Sequence, residues 1–349
     1  MFAADPPHPH PGPLRSLCDA LGTRAEETAA AGPWHAGAFA LLAESGTLAG
    51  FIPPAHGGTG APETALVAAL TAIASRCLTT ALVLTQWAAG VRIIAGGSET
   101  LRAARLPGLA RGAATTTVGI AQLSTSRRHL HAPTLVARRR GGCWRLDGLC
   151  PWVTGADSSD TIVTGAVGDA GEQLFFVVPT DAPGLQIAPP LDLLALSGSR
   201  TSSVTFTAVE PADVIVPEAG GGVRTGGLAT TALALGSTRA AVDLLDREAR
   251  ARPALHPVAT ALGAEAAGLE ARLHEAAAAG SEPEARDRLR ADANGLVVRA
   301  AQAALTATKG AGFVAGHPAG RLVREAHFFL VWSCPQTVSG ITLCELSRG

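Results

Sequence analysis

The sequence predicts an α+β fold in which an N-terminal α-helical domain and a C-terminal four-helix bundle flank a central antiparallel β domain. Two observations carry this. Apolar residues recur at helical spacing before residue 115 and after residue 217, but alternate with polar ones between those points. Within the middle stretch Gly and Pro interrupt the chain at short intervals, with no alternation of strands and helices of the kind a doubly wound sheet requires. The chain therefore divides into a disordered tail over 1–13, a helical domain over 14–114, a β domain over 115–217 and a helical bundle over 218–349.

In the first domain, Leu41, Leu42 and Leu48 mark a helix that Gly50 stops. Pro53, Pro54, Gly57, Gly58 and Gly60 make the following stretch an irregular loop. Apolar helices follow from Ala65 to Ser75 and from Thr80 to Gly96. The run Gly97-Ser98-Glu99-Thr100 can cap a further short helix ending near Pro107.

In the second domain, Thr134-Leu135-Val136-Ala137 and Trp144-Arg145-Leu146 flank Gly141-Gly142, the pattern of a hairpin. Ile162-Val163 and Leu174 to Val178 read as buried strands. Val204, Phe206 and Ala208 alternate with Ser203, Thr205 and Thr207, the mark of a half-buried strand.

The helical period returns at Leu228. Leu255, Val258, Leu262, Ala266, Leu269 and Leu273 form one apolar stripe. Ser281-x-x-Glu284 reads as a capping box opening the next helix, which buries Leu289, Leu296, Val297 and Ala300. Gly220-Gly221-Gly222 is expected to be a link into the bundle, not a phosphate loop, because no strong strand leads into it.

Composition narrows the function classes. The chain has 349 residues, 47% hydrophobic and 16% charged, which describes a globular protein with a large core. Net charge is -1 and the one basic cluster, Arg138-Arg139-Arg140, lies at a hairpin end, so no nucleic-acid partner is expected. No apolar stretch reaches the roughly 20 residues of a spanning helix, so no membrane partner is expected either. The N-terminal stretch lacks a basic segment followed by an apolar one and does not read as a signal peptide. Six scattered cysteines without Cys-x-x-Cys spacing suit a reducing cytoplasm and provide no metal site. Histidines are dispersed, and neither a Gly-x-Ser-x-Gly elbow nor a His-Glu-x-x-His helix occurs.

Five short motifs in order are more specific than any of them alone. They are Pro53 with Gly57-Gly58, Gly97-Ser98-Glu99 with Leu106 to Gly112, and Leu146-Asp147-Gly148 with Trp152-Val153-Thr154. The strand from Gly198 to Phe206 leading to Val216-Pro217 is the fourth, and Gly310 to Ala326 is the fifth. Together, over roughly residues 41–331, the chain resembles the acyl-CoA dehydrogenase family of flavoproteins.

That resemblance implies an FAD site, with FMN or no flavin as alternatives. Thr154 matches the threonine whose hydroxyl bonds flavin N5, Trp152 the tryptophan near the ring, and Val153 the residue between them. A hydroxyl suits N5 because it can donate to the oxidised ring and accept from the reduced one. Gln122 and Ser124 match the stretch beside the pyrimidine ring. Gly310 and Gly312 match a glycine loop that approaches a cofactor of the second subunit, where a missing Cβ lets the backbone come close. Arg250 or Arg252 is the candidate for the pyrophosphate. Gln86, Trp87 and Thr230 are expected to wall a pocket for an acyl thioester or another small molecule. A homodimer or homotetramer is implied.

The resemblance fails at the base. The family removes a proton with a carboxylate whose burial can raise its pKa toward working pH. The aligned position here is Ser333, and the alternative position on the first bundle helix falls near Ala229 and Thr230. Three readings follow, in order of preference. The first is an FAD-dependent oxidoreductase of the same type with a relocated base, His327, Glu325 and Glu345 being the nearby candidates. The second is a reduced-flavin monooxygenase, which needs no such base. The third is an inactive binding subunit.

Overall fold

The computed structural model describes residues 12–29, 34–124, 133–217, 227–332 and 334–347. Helix α1 (Gly12–Gly22) opens the described chain, so Gly12 and Pro13 belong to a helix and not to the expected tail. Short helices α2 (Ala25–Ala29), α3 (Trp34–Glu44) and α4 (Thr47–Gly50) follow. The single helix expected up to Gly50 is broken at Gly46, whose φ of 74° only glycine adopts readily.

The longer helices α5 (Glu63–Arg76) and α6 (Leu78–Ala95) come next. Helix α6 is apolar and long enough to cross a membrane by length and composition, yet 72% of it is buried within the protein. It is the core helix of its domain. Helix α7 (Glu99–Ala110) is capped by Ser98, whose Oγ accepts from Leu101 N at 3.2 Å. It runs through Pro107 instead of ending there.

The sheet contains β1 (Thr116–Gly119), β2 (Leu135–Arg140), β3 (Cys143–Val153), β4 (Thr161–Val167), β5 (Gln173–Pro179), β6 (Leu185–Ile187), β7 (Ser202–Val209) and β8 (Asp213–Ile215). A single turn of helix, α8 (Ala121–Ser124), follows β1. The strand order is β6-β7-β3-β2-β4-β5-β8, with β1 paired to β4. Most pairs are antiparallel, but β1 runs parallel to β4, and β2 meets β4 in the same sense. The sheet is therefore mixed, where the sequence suggested a purely antiparallel one. Strand β1 reaches β4 only after the β2–β3 hairpin has intervened, and a connection of that length permits parallel pairing.

The hairpin turn is as expected, with positive φ at both Gly141 and Gly142. The alternation in β7 breaks near its end: Ala208 has φ 50° and points outward, its N–H donating to Asp147 Oδ1 at 2.8 Å, and Val209 takes the inward place. This is a bulge.

The C-terminal helices are α9 (Leu228–Ala251), α10 (His256–Ala279), α11 (Pro283–Thr308), α12 (Pro318–Phe328) and α13 (Gln336–Leu346). Leu262, Ala266, Leu269 and Leu273 are buried on α10 as the stripe requires, but Val258 is exposed. Ser281 caps no N–H of α11; its carbonyl and hydroxyl instead accept from Arg286, and helix α11 starts at Pro283.

One apolar core joins the N-terminal helices, the bundle and one face of the sheet, including Val163, Phe175, Val177 and Ile215. Their strand neighbours Ile162, Leu174, Phe176 and Val178 enter a second core built from sheet and turn residues alone. The sheet thus buries both faces, one against helices and one against itself. Helix α6 packs closely on β1: a Cβ at Gly90 would lie 3.2 Å from Thr116 Cγ2 and 3.3 Å from Thr117 O.

Candidate functional site

Three of the expected site residues, Trp152, Val153 and Thr154, lie at the end of β3. Trp152 lies on the outer side of the strand, 48% exposed, so about half of its side chain is open. Val153 points the other way, fully buried in the sheet core, so its backbone alone is available to a ligand. Thr154 follows the strand and is 9% exposed. Its carbonyl accepts from Thr117 Oγ1 at 2.7 Å, which ties it to β1. Its hydroxyl lies 3.0 Å from that of Thr201, which lies 2.9 Å from that of Ser199.

A tight loop holds these hydroxyls together. Gly155 N–H donates to Ser199 O at 3.0 Å and to Arg200 O at 3.2 Å. Leu196 and Arg200 both adopt left-handed φ, 66° and 50°, which is costly for residues with a Cβ. The Arg200 guanidinium grips Asp157 and secures the loop from outside. Asp157 raises the Arg200 pKa by hydrogen bonding to it.

Gln122 is not open to a ligand. Its Nε2 donates to Gly165 O at 2.8 Å and Gly119 O at 3.2 Å, and its Oε1 accepts from the Cys150 thiol at 3.0 Å. Side chain and strand therefore brace one another. Burial pushes the Cys150 thiol up to about 12, so it remains a donor. A Cβ at Gly119 would stand 3.1 Å from both Cys150 Sγ and Val153 Cγ2, which makes this stretch a close backbone approach. Ser124 closes α8, but its side chain lies outside the described atoms.

The remaining candidates are placed as follows. Trp87 is 1% exposed and meets Phe39 and Phe51 edge-on, in the core of the helical domain. Gln86, its neighbour on α6, is half-buried and donates to Thr85 Oγ1 at 3.2 Å. Thr230 is buried and its hydroxyl donates to Gly227 O at 2.8 Å, closing the first turn of α9. Arg250 is exposed near the end of α9. Gly310 is exposed, with open space where a Cβ would stand. Gly312 is different: a Cβ there would strike Thr308 Oγ1 at 2.2 Å, so this glycine serves the turn after α11 itself.

Ser333 lies outside the described residues, as does the Glu345 side chain. His327 sits in the last turn of α12, half-buried, and its Nδ1–H donates to Val323 O at 2.6 Å. That bond leaves Nε2 as the proton-accepting nitrogen. Glu325 is 2% exposed and ion-paired with Arg321 at 3.0 Å.

Two residues escaped the sequence reading. Arg290 Nη2 donates to Trp332 O at 2.7 Å, and Asn294 Nδ2 donates to Phe329 O at 2.9 Å. Both are buried, and both hold the turn that leads from α12 toward position 333. The signal was their spacing: polar residues at i and i+4 inside the apolar face of α11.

The strand end offers a half-exposed aromatic side chain beside a buried hydroxyl, which fits a flat, largely apolar ring with a polar edge. A cavity of about 340 Å³ beside Arg76 and Arg239 and one of about 250 Å³ beside Arg321 and Ser197 are not lined by Trp152 or Thr154. Among the described residues no group of three His, Cys, Asp or Glu side chains could hold a metal.

Helices before and after a mixed sheet, with an aromatic and a hydroxyl at a strand end between them, define the architecture of the acyl-CoA dehydrogenases. The chain aligns over 98% of its length with butyryl-CoA dehydrogenase from Megasphaera elsdenii, covering 100% of that chain at a TM-score of 0.82 and 16% identity. FMN-bound TdsC from Paenibacillus sp. A11-2 aligns over 90% of this chain and 91% of its own, with a TM-score of 0.74 and 18% identity. Residues 15–113 match the family described as Acyl-CoA dehydrogenase, N-terminal domain. The chain is 26% identical over 241 residues to the probable acyl-CoA dehydrogenase YngJ of Bacillus subtilis (strain 168), a match covering 64% of this chain and 62% of that protein. The chain has the fold of the acyl-CoA dehydrogenases, and its residues 15–113 match that family's N-terminal domain. It spans less than two thirds of the length of that curated relative.

Proposed function

We propose that the protein is an FAD-dependent oxidoreductase of the acyl-CoA dehydrogenase type, acting on an acyl thioester or a related small molecule in the cytoplasm. The observation that supports this most is the pairing of the half-exposed Trp152 ring with the Thr154 hydroxyl at one strand end. A bound flavin supplies a two-electron acceptor there. Thr154 would hold its N5 edge through the hydroxyl, and Trp152 would shield the ring from water. Gly310 leaves room for the backbone of the glycine loop to approach a cofactor held by a second subunit, in a homodimer or homotetramer. Arg250 stands exposed for a pyrophosphate. The flavin-bound TdsC shares this fold, and FMN is the alternative cofactor.

His327 is the proton acceptor this reading favours, through Nε2, because the bond to Val323 O fixes its tautomer. Glu325 is the weaker candidate, its carboxylate being engaged by Arg321. Arg290 and Asn294 hold the turn that follows α12, the helix whose last turn carries His327.

A second reading has its own support. Neither Ala229 nor Thr230 nor Ser333 offers a carboxylate, and a reduced-flavin monooxygenase on this fold needs none. The experiment separating the two is anaerobic mixing of flavin-loaded protein with a panel of acyl-CoA thioesters. Bleaching of the flavin band is the expected result. No bleaching, together with oxygen uptake only when reduced flavin is supplied, would favour the monooxygenase.

A further inference from the structure

We propose that Thr201 and Ser199 are positioning residues that set the direction of the Thr154 hydroxyl, biasing it to donate to the ring held at the end of β3. This rests on the reading that Thr154 meets a flavin. Three hydroxyls stand in a row, Thr154, Thr201 and Ser199, at 3.0 Å and 2.9 Å. They are 9%, 6% and 0% exposed, so water does not compete along the row.

Each hydroxyl owns one proton, and the row can run in two senses. In the first, Ser199 donates to Thr201 and Thr201 donates to Thr154. The Thr154 proton is then free for an acceptor outside the protein. In the second, Thr154 donates to Thr201 and Thr201 to Ser199. The Ser199 proton is then left over, and among the described residues Ser199 Oγ has no hydrogen bond except that to Thr201. A buried donor without an acceptor is costly. The first sense therefore wins, and Thr154 presents a donor.

The surrounding backbone keeps the row from loosening. Thr117 Oγ1 holds the Thr154 carbonyl, Gly155 N–H holds the Ser199 and Arg200 carbonyls, and Arg200 is pinned to Asp157. Two non-glycine residues are left-handed, Leu196 before the segment and Arg200 between Ser199 and Thr201. Strain of this kind persists where surrounding structure enforces a geometry.

A ring edge that accepts is thereby favoured over one that donates. The oxidised flavin should bind more tightly, relative to the reduced one, than it would without the row. Thr201→Val removes the middle hydroxyl at nearly constant shape. The expected change is about tenfold in the ratio of oxidised to reduced flavin affinity, the order expected for one buried unsatisfied donor, or about 30 mV upward for a two-electron couple.

The test is dye-coupled potentiometry of FAD-loaded protein, with the visible absorbance band as a second readout. Thr201→Val should shift the potential upward, Thr201→Ser should restore it, and Thr201→Val should add nothing in a Thr154→Val background. Thr201→Ala carries the same prediction should the valine variant not fold. A wild-type potential in Thr201→Val or Thr201→Ala, or an equal shift with Thr154 already replaced, overturns the proposal while leaving the flavin reading intact. Wild-type protein that stays colourless with added FAD overturns both.

Discussion

At Gly236 the first bundle helix α9 lies hard against α5 of the N-terminal domain. A Cβ there would stand 2.3 Å from Thr71 O, 2.6 Å from Ala74 Cβ and 3.0 Å from Ser75 N. The first approach is short of ordinary contact by about 1 Å, and the blocking atom is a backbone oxygen in the middle of α5, which cannot rotate away. Gly236→Ala must therefore push α5 and α9 apart. Overpacking of this kind costs about 1–3 kcal/mol, and more when backbone moves. Alanine returns about 1 kcal/mol in helix propensity. The net expectation is a loss of about 2 kcal/mol. Gly268, in the middle of α10, has no atom within 4 Å of its would-be Cβ. Gly268→Ala should thus gain up to about 1 kcal/mol from propensity alone. Urea denaturation followed by circular dichroism reads both. A midpoint for Gly236→Ala equal to or above that of the wild type would refute the packing argument, as would a fall for Gly268→Ala of the same size.

Replacing Asn294 with Ala should destabilise the protein by about 1–3 kcal/mol, because Phe329 O is left buried without its donor; an unchanged urea midpoint would count against this. Burial lowers Arg290 to about 10, so Arg290→Met should be better tolerated than Arg290→Ala, which leaves a cavity as well; equal losses in thermal scans would contradict this. Burial pushes the thiols of Cys18 and Cys150 up to about 11 and about 12 from a model-peptide 9.0. The folded state then binds more protons above pH 9 than the unfolded state, so their contribution to stability is whole below pH 9 and is lost as pH rises toward 12. Native protein should react with a thiol reagent at Cys143 and Cys344, which are exposed, before Cys77 or Cys150; mass mapping that finds Cys150 labelled first would overturn the burial account.

The three-block order was legible because each block repeats its own period over many residues. Partner choice in the sheet was not. Strand β1 pairs with β4 across an intervening hairpin, and local alternation says which face is buried, not which strand lies alongside. Pro107 inside α7, the break at Gly46 and the bulge at Ala208 are places where tertiary packing overrode a local signal. At the site, Trp152 and Thr154 were legible through resemblance, since a tryptophan and a threonine near a strand end carry no chemistry of their own. Gln122 was expected to face a ligand, but the short α8 turns its amide back onto β4. Thr201 and Ser199 had no sequence signal, because the contact joins residues 47 positions apart. Arg290 and Asn294 did have one, in their helical spacing on an apolar face.

Titration of the purified protein with FAD, followed by Trp fluorescence and the flavin absorbance band, tests the central claim most directly. Binding is expected to quench the half-exposed Trp152, to give a yellow protein, and to leave the Trp152→Phe variant binding with a smaller quench. Protein that remains colourless at saturating FAD and at saturating FMN, with Trp152 emission unchanged, would show that the end of β3 seats no flavin.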